Sequence, residues 1–421
     1  MKTKAVRLYG KYDLRMEEFE LPPLKEDEIL AHIVSNSICM SCHKAAEQGA
    51  DHKRVPADIN ENPIIIGHEF SGDIVEVGKK WQEQFSPGDK FSIQPALNYK
   101  GSLAAPGYSY RYMGGNASYI IIPNEVMECQ CLLKYDGEGY FPASLSEPMS
   151  CIVGAFNASY HTTPGSYVHN MGIKKEGNMA LLASAGPMGL GALDYAIHSK
   201  NKPLLLVVTD IDEKRLQWAE SIFPPREAEE EGVKLVYINS LKITDTGAHL
   251  LEYTGGKGFD DVFVFAPVES LIELGDAILK PHGCLNFFAG PKNPQFTARI
   301  NFYNVHYSST HIAGTSGGNK EDMKIALNLM GQKLVTPAVM ITHIGGLNAV
   351  ADTIINLPQI PGGKKLIYTN IKLDLTAIED FKNLQDKNPL FKELYHITKN
   401  NRGLWSLEAE EYLLANAEKI Y

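Results

Sequence analysis

Residues 180–191 read Ala-Leu-Leu-Ala-Ser-Ala-Gly-Pro-Met-Gly-Leu-Gly, a short apolar run that leads into a glycine-rich turn. The pattern predicts a strand at 180–183, and residues 192–200 then read as a helix. A second apolar run at 203–208 predicts the next strand. Strand, helix and strand in this order form a βαβ unit, which implies a parallel sheet. Later apolar runs at 261–265 and 284–288 predict further strands of the same sheet.

The turn over residues 184–189 has the character of a dinucleotide-binding loop, where glycines allow a tight bend and close approach of the pyrophosphate. Ser184 replaces the usual first glycine, so the motif is weak without its strand–turn–helix context. We expect the pyrophosphate at the helix N-terminus and the ribose hydroxyls on Asp210, which favours NAD(H), with NADP(H) also possible. A plain loop carboxylate is the alternative for Asp210. Arg215 is predicted either near the adenosine or as a surface charge.

Residues 1 to about 155 have a different pattern, with short runs in which apolar and polar residues alternate, such as 28–34 and 72–77. Turn-forming residues, including Pro-Gly at 87–88 and Gly-Gly at 114–115, separate such runs. This part of the chain is predicted to be a mostly β domain. Its loops carry residues that can bind metal.

A metal site is predicted in this β region. His68 and Glu69 end an apolar run, Cys39 lies upstream and Glu147 downstream. Thiolate, imidazole and carboxylate suit a catalytic zinc, with Glu69 or Glu147 supplying the oxygen. Zinc lowers the pKa of a bound alcohol, and Ser41 could relay the proton. Taken singly, Cys39 could be a buried thiol and Glu147 a carboxylate at a helix start.

The other cysteines predict neither a second metal site nor a disulfide framework. Cys42 and His43 could join Cys39 in a local ligand cluster, but no second cysteine pair has structural-zinc spacing. Cys129 and Cys131 are interpreted as strand thiols. The six cysteines are scattered through 421 residues, which favours reduced thiols.

Charge and hydropathy exclude two classes of partner. The chain has 50 acidic and 40 basic residues, a net charge of -10, which argues against binding a nucleic-acid backbone. No run approaches the roughly 20 apolar residues of a membrane helix. The first residues lack an apolar signal core. We therefore expect a cytoplasmic protein without a membrane or nucleic-acid partner.

Several blocks of the sequence resemble the zinc-containing medium-chain dehydrogenase/reductase family, which includes alcohol, sorbitol and threonine dehydrogenases. The blocks lie at 63–78, 87–91, 114–119 and 250–261, and the resemblance runs from about residue 3 to 370. It implies an α/β fold with a GroES-like, mostly β catalytic domain and a Rossmann domain with a doubly wound parallel sheet. The boundaries that we predict are 1–155 for the catalytic domain, 156–330 for the NAD-binding domain, 331–372 for a return segment and 373–421 for a helical C-terminal extension.

The family resemblance also assigns roles to single residues. It implies zinc at Cys39 and His68, with Glu69 and Glu147 as direct or water-mediated ligands. Ser41 matches the relay hydroxyl, and Lys44 falls where several relatives have a relay histidine. The NAD contacts that it implies are Ser184, Gly186, Pro187, Met188, Gly189, Asp210 and Arg215. No cysteine lies between residues 92 and 118, so we predict one catalytic zinc and no structural zinc. Homodimers or homotetramers are usual in the family.

Residues 39–43, the Gly-Pro-Met-Gly turn and the long tail resemble one branch, the L-sorbose 1-phosphate reductases. This branch interconverts L-sorbose 1-phosphate and D-glucitol 6-phosphate, which implies cations for the substrate phosphate. Lys44, Arg111 and Arg299 are candidates, with solvated surface charge as the alternative. Cys42 occupies the position where the family has an aspartate that interacts with a zinc ligand, so the tuning of the metal would differ here.

Two alternative functions stay open at this point. The first is a sorbitol, alcohol or threonine dehydrogenase that acts on an unphosphorylated substrate. The second is a non-catalytic NAD(H)-binding sensor or structural protein, because Ser184 and Cys42 both depart from the family pattern. The intact set Cys39, His68, Glu69 and Glu147 argues for an enzyme.

Overall fold

The computed structural model describes residues 1–420. Its strands, in chain order, are β1 Lys2–Gly10, β2 Asp13–Glu20, β3 Ile29–Ile38, β4 Ile64–Ile65, β5 Glu69–Val77, β6 Lys90–Ile93, β7 Tyr119–Ile122, β8 Leu132–Lys134, β9 Tyr160–His161, β10 Asn170–Met171, β11 Asn178–Leu182, β12 Leu205–Asp210, β13 Lys234–Asn239, β14 Phe259–Val264, β15 Leu279–Phe287, β16 His311–Ala313, β17 Ile341–Gly346, β18 Lys364–Tyr368 and β19 Thr376–Ala377.

The α-helices lie between and after these strands. They are α1 Met40–Gln48, α2 Asn124–Glu128, α3 Phe141–Ser144, α4 Ser146–Ala158, α5 Pro187–His198, α6 Glu213–Ile222, α7 Pro225–Glu230, α8 Thr246–Glu252, α9 Glu269–Ala277, α10 Phe302–Tyr307, α11 Lys320–Gly331, α12 Val350–Asn356, α13 Phe381–Leu384, α14 Pro389–Asn400 and α15 Leu407–Asn416.

Two compact units divide the described chain. Among the described residues, unit 1 contains 1–147, 319–333 and 340–420, and unit 2 contains 148–318 and 334–339. Unit 2 is thus an insertion into the sequence of unit 1. The domain boundaries stated above, at 155, 330 and 372, stay predictions.

Unit 2 is built on a parallel sheet of six strands in the order β13-β12-β11-β14-β15-β16. Counted from β11, this is the 3-2-1-4-5-6 order of the dinucleotide-binding Rossmann fold. The central strands are buried along their length, as a sheet covered on both faces requires. The predicted α/β class with a parallel sheet is confirmed.

Unit 1 is mostly β, as predicted for the catalytic domain. Its larger sheet runs β19-β17-β18-β3-β5-β6-β8, and β7 also pairs with β3. A smaller sheet has the order β2-β1-β4. The two larger apolar clusters of this unit lie around Phe70 and Phe91 and around Ile38 and Ile367.

The C-terminal extension belongs to unit 1. Helices α14 and α15 present an apolar side that includes Leu394 and Leu413, both fully buried. Trp405, between them, is 1% exposed and donates from its indole N–H to the Tyr368 hydroxyl at 2.8 Å. The tail therefore packs against the end of β18 within its own chain.

The glycine-rich turn differs from its prediction in one detail. Helix α5 begins at Pro187 rather than near residue 192. Proline has no N–H to leave unbonded and its φ is already helical, so it suits the first helical position. No helix in residues 1–420 is both long and apolar enough to cross a lipid bilayer.

Candidate active site

Three strand ends meet at one edge of the larger sheet in unit 1. The antiparallel register places Ser37, near the end of β3, opposite Glu69, the first residue of β5. Cys39 follows β3 directly, and His68 precedes β5. Lys364 begins β18, which pairs with β3 on its other side. The topology thus gathers side chains from three distant parts of the sequence.

The turn before His68 requires glycine. Gly67 has φ of +107°, and a Cβ there would lie 2.7 Å from Nδ2 of Asn116. That side-chain amide donates to the Ile66 backbone carbonyl at 2.8 Å. The Asn36 side chain donates to Oδ1 of Asn116 at 2.9 Å. A buried amide pair therefore fixes the backbone that presents His68.

Cys39, His68 and Glu69 form a metal-ligating group. One donor atom from each, a sulfur, a ring nitrogen and a carboxylate oxygen, lies within 4.8 Å of the others. His68 and Glu69 are 4% and 1% exposed, whereas Cys39 is partly exposed. Three mixed protein ligands with access from one side fit a catalytic zinc, which keeps one position open.

Glu147 lies close to this group without being one of the three grouped donors. It is the second residue of α4, where its negative charge interacts favourably with the positive end of the helix dipole. Burial raises the pKa of the Cys39 thiol, and the negative charges of Glu69 and Glu147 raise it further. Glu147 is therefore positioned to act on the metal site electrostatically.

His68 contacts several polar side chains. Its Nε2 lies 3.3 Å from the Ser41 hydroxyl and 3.4 Å from the Tyr108 hydroxyl, and its Nδ1 lies 3.6 Å from the Cys42 sulfur. Burial opposes the charged imidazolium, but Cys42 and nearby carboxylates raise the pKa of His68 to about 9. The Cys42 sulfur thus contacts Nδ1 of His68, the second ring nitrogen, which in metal-bound histidines commonly bonds to a carboxylate.

Ser41 and Lys44 both lie on α1 but in different surroundings. Ser41 is partly buried beside His68, within reach of a group bound at the metal site. Lys44 is exposed. The proton-relay role predicted for Ser41 therefore has geometric support, and Lys44 faces solvent rather than the ligand group.

Lys364 is a charged partner of the site that the sequence motifs did not reveal. Its ammonium donates to both oxygens of Glu69, at 2.6 and 2.8 Å, and the two side chains are 11% and 0% exposed. Burial penalises the Glu69 carboxylate, but Lys364 holds the pKa of Glu69 below its usual value. A buried carboxylate is thus kept ionised by a lysine that is distant in sequence.

In unit 2, the glycine-rich turn shows the packing of a dinucleotide loop. A Cβ on Gly189 would lie 1.9 Å from the Ser184 carbonyl oxygen, so α5 packs tightly on the turn that follows β11. A Cβ on Gly186 would meet no atom within 4 Å. Pro187 and Met188 open α5, whose N-terminus carries no side-chain cap. Backbone N–H groups in an uncapped first turn suit an anion such as a pyrophosphate.

Asp210 ends β12 beside that turn and is 5% exposed. Its carboxylate accepts backbone N–H groups from Ala185 at 3.1 Å, Ile211 at 2.8 Å and Asp212 at 3.0 Å. Two oxygens offer about four acceptor positions, so capacity for a ribose hydroxyl remains. Arg215 lies on α6 with its side chain 58% exposed and 3.7 Å from Asp212.

Family models match both units of the chain. The alcohol dehydrogenase GroES-like domain matches residues 25–130, and the zinc-binding dehydrogenase domain matches residues 187–332. The first match contains Cys39, His68 and Glu69, and the second contains Gly189 and Asp210. Both predicted domain types are thereby confirmed.

Two relatives whose names give a substrate match almost the whole chain. The mannitol-1-phosphate 5-dehydrogenase of Aliivibrio fischeri is 51% identical over 412 residues, which are 98% of this chain and 97% of the relative. The L-sorbose 1-phosphate reductase of Klebsiella pneumoniae is 50% identical over 419 residues, 99% and 98% of the two chains. The crystal structure of 2R,3R-butanediol dehydrogenase from Bacillus subtilis has a TM-score of 0.69 at 21% identity, covering 87% of this chain and all of the other.

Proposed function

This chain belongs to the zinc-containing medium-chain dehydrogenase/reductase family, and from that premise we propose that it interconverts a ketose phosphate and a hexitol phosphate with NAD(H). The preferred pair is L-sorbose 1-phosphate and D-glucitol 6-phosphate. In the direction of reduction, the ketose carbonyl accepts a hydride from NADH and a proton, which yields a secondary alcohol and NAD⁺.

The observation that carries the chemistry is the group of Cys39, His68 and Glu69 at the meeting of three strand ends. These residues would hold zinc, with Glu147 close by. Bound zinc supplies Lewis acidity, which polarises a carbonyl and lowers the pKa of an alcohol. The Ser41 hydroxyl, 3.3 Å from Nε2 of His68, supports a role in passing the substrate proton.

The cofactor assignment rests on unit 2. The uncapped N-terminus of α5 and the open space at Gly186 support binding of the pyrophosphate. Asp210, with acceptor capacity left, supports binding of ribose hydroxyls. A carboxylate there repels the 2′-phosphate of NADP(H), so we expect a preference for NAD(H).

The substrate assignment rests on the two full-length relatives. Both are named for six-carbon sugar or polyol phosphates, and each shares about half of its residues with this chain. The A. fischeri relative favours D-mannitol 1-phosphate as a second candidate substrate. A sorbitol, alcohol or threonine dehydrogenase is the rival in which the phosphate plays no part.

The decisive assay follows NADH oxidation by the zinc-loaded protein with L-sorbose 1-phosphate, and with L-sorbose as the control. NAD⁺ reduction with D-glucitol 6-phosphate and D-mannitol 1-phosphate ranks the two polyols. Turnover of phosphorylated substrates alone supports the proposal. Equal rates with the free sugar would favour the unphosphorylated rival, and no turnover with a protein that binds NADH and zinc would favour a non-catalytic sensor.

A further inference from the structure

A short basic segment lies beside the candidate metal site in unit 1. It comprises residues 52–54, His-Lys-Arg, between α1 and β4. The Arg54 backbone N–H donates to Nδ1 of His52 at 3.3 Å, and its carbonyl accepts from the Ser109 hydroxyl at 2.6 Å. Ser109 in turn accepts from the Ala105 N–H at 3.0 Å. The segment is therefore held in place before any ligand arrives.

The guanidinium of Arg54 has a buried donor with no acceptor in the described part of the chain. Its Nε is buried and has no hydrogen-bond partner among residues 1–420. Its guanidinium carbon lies 5.7 Å from the centre of the Tyr108 ring. Leaving a buried charged donor unsatisfied costs free energy, and a bound anion that accepts from this guanidinium would recover it.

Further positive charge surrounds this arginine. Burial lowers the pKa of His52, and Arg54, Lys53 and Lys44 lower it further, so all three cations act on one imidazole. The adjacent Asp51 does not neutralise them, because it pairs with Lys11. The segment therefore concentrates positive charge, which attracts a multiply charged anion.

Tyr108 connects this basic segment to the metal-ligating group. Its ring stacks on His52, with centroids 5.6 Å apart and planes inclined by 9°. On the other side its ring centre lies 4.9 Å from that of His68. With the 5.7 Å to Arg54, the guanidinium carbon lies no more than about 11 Å from the His68 ring. In L-sorbose 1-phosphate only C1 and the ester oxygen separate the carbonyl carbon from the phosphorus, so a carbonyl on the His68 side and a phosphoryl group on the Arg54 side fit within that separation.

We infer that Arg54 anchors a phosphate-binding subsite of the candidate active site, with Lys44 and Lys53 supplying further positive charge. The inference deepens the proposed function and rests on it, because the ligand is the phosphoryl group of the substrate. Lys44 remains a candidate for the substrate phosphate, as the sequence indicates, and not for the proton relay. Arg111 instead donates to the Asn62 side chain, and Arg299, in unit 2, is 92% exposed and pairs with Glu273.

The test compares Arg54→Gln with the zinc-loaded wild-type protein on D-glucitol 6-phosphate and on D-glucitol. The variant should raise KM for the phosphate ester by about 10- to 100-fold, the worth of one or two charge-assisted hydrogen bonds. Affinity for D-glucitol should not change. Arg54→Lys should recover part of the loss, since lysine keeps the charge without the bidentate geometry. Arg226→Gln, which removes an arginine charge that is 89% exposed in unit 2, is the matched control.

Calorimetric binding of D-glucitol 6-phosphate and of inorganic phosphate separates the subsite from the proposed reaction. Turnover of the phosphate ester with an unchanged KM in Arg54→Gln would overturn the subsite and leave the proposed function standing. Absence of turnover in the wild type, together with phosphate-ester binding that Arg54→Gln weakens, would support the subsite and reject the reaction. Equal binding of ester and free polyol by the wild type would overturn the subsite.

Discussion

At the scale of single residues, the ion pair with Lys364 keeps the Glu69 carboxylate ionised. A carboxylate whose side chain is fully buried beside a thiol and an imidazole needs a compensating charge, and the ammonium of Lys364 provides it at 2.6 Å. The same carboxylate is a candidate zinc ligand. Lys364 and zinc would therefore both neutralise the charge of Glu69. We expect the loss of Lys364 to destabilise the metal-free protein more than it destabilises the zinc-loaded protein.

Lys364→Met tests this dependence. Removing one partner of a buried ion pair costs about 3–5 kcal/mol because the other charge is left stranded. Zinc bound by Glu69 compensates for the missing cation, so the thermal midpoint should fall more without zinc than with it. Scanning calorimetry with and without zinc measures the difference. The double variant Glu69→Gln/Lys364→Met, which leaves no stranded charge, should recover part of the loss in the metal-free protein; equal losses with and without zinc would contradict the shared role.

Ser41→Ala tests the proton relay. Loss of a positioned proton-transfer group typically slows turnover by about 10²- to 10⁴-fold, and we expect kcat to fall in that range with little change in zinc content. Ser41→Thr keeps the hydroxyl and should retain most of the activity. Steady-state kinetics with zinc analysis checks both variants, and an Ala variant as active as the wild type would remove Ser41 from the mechanism.

At the scale of secondary-structure elements, α15 reaches across unit 1 to cap α3. The Glu410 carboxylate, 1% exposed, accepts the backbone N–H groups of Tyr140 at 2.7 Å and Phe141 at 2.9 Å, and the Tyr368 hydroxyl at 2.8 Å. The first N–H groups of a helix have no partner inside the helix, and here a distant element supplies one. Helix α3 leads directly to α4, which carries Glu147, so the tail supports the segment that enters the active site.

The pH dependence of stability should report this cap. Burial raises the pKa of Glu410 to about 7, against 4.5 for an ordinary glutamate. The folded state then keeps a proton that the unfolded chain has lost, so this stabilisation is complete below about pH 4.5 and disappears as the pH rises through 7. The shift corresponds to about 3 kcal/mol at most. Glu410→Gln should lack this component, which thermal midpoints between pH 5.5 and 8.5 would measure.

Glu411→Gln is the matched control for that experiment, because Glu411 is exposed on the same helix. Its midpoint should follow the wild-type pH profile. A Glu410→Gln profile that parallels the wild type would show that the carboxylate keeps an ordinary pKa.

What the sequence predicted depended on distance along the chain. The Gly-His-Glu run and the glycine-rich turn are local motifs, so the group of Cys39, His68 and Glu69 and the parallel sheet could be anticipated. Lys364 is 295 residues from Glu69, and no local pattern marks a lysine as the partner of a buried carboxylate. Glu410 lies in a charged, amphipathic tail that the pattern left free to pack on its own surface or on another subunit. Its role comes from tertiary contacts alone.

At the scale of the whole molecule, the candidate metal ligands and the candidate nucleotide contacts belong to different compact units. Cys39, His68 and Glu69 lie in unit 1, whereas Gly189 and Asp210 lie in unit 2. Each unit also has its own apolar core. Loss of the metal should therefore leave the nucleotide site intact.

Removal of zinc with a chelator tests this independence. We expect turnover to disappear while NADH still binds, because no predicted nucleotide contact lies in unit 1. Fluorescence titration of NADH against the metal-free and zinc-loaded proteins makes the comparison. Asp210→Ala is the reciprocal control and should weaken NADH binding while zinc content stays at the wild-type level. A metal-free protein that no longer binds NADH would show that the two sites are coupled.

The insertion of unit 2 into unit 1 has a consequence for synthesis of the protein. Domains generally fold as units while the chain emerges from the ribosome. Residues 148–318 can complete their parallel sheet early, whereas β3 waits for β18, whose first residue is Lys364, and α3 waits for Glu410. Within the first 147 residues, β3 and α3 therefore lack these partners until the ribosome has passed Glu410. A ribosome that stalls between these points leaves a finished unit 2 attached to an open sheet edge, and an unpaired edge can pair with another chain and aggregate.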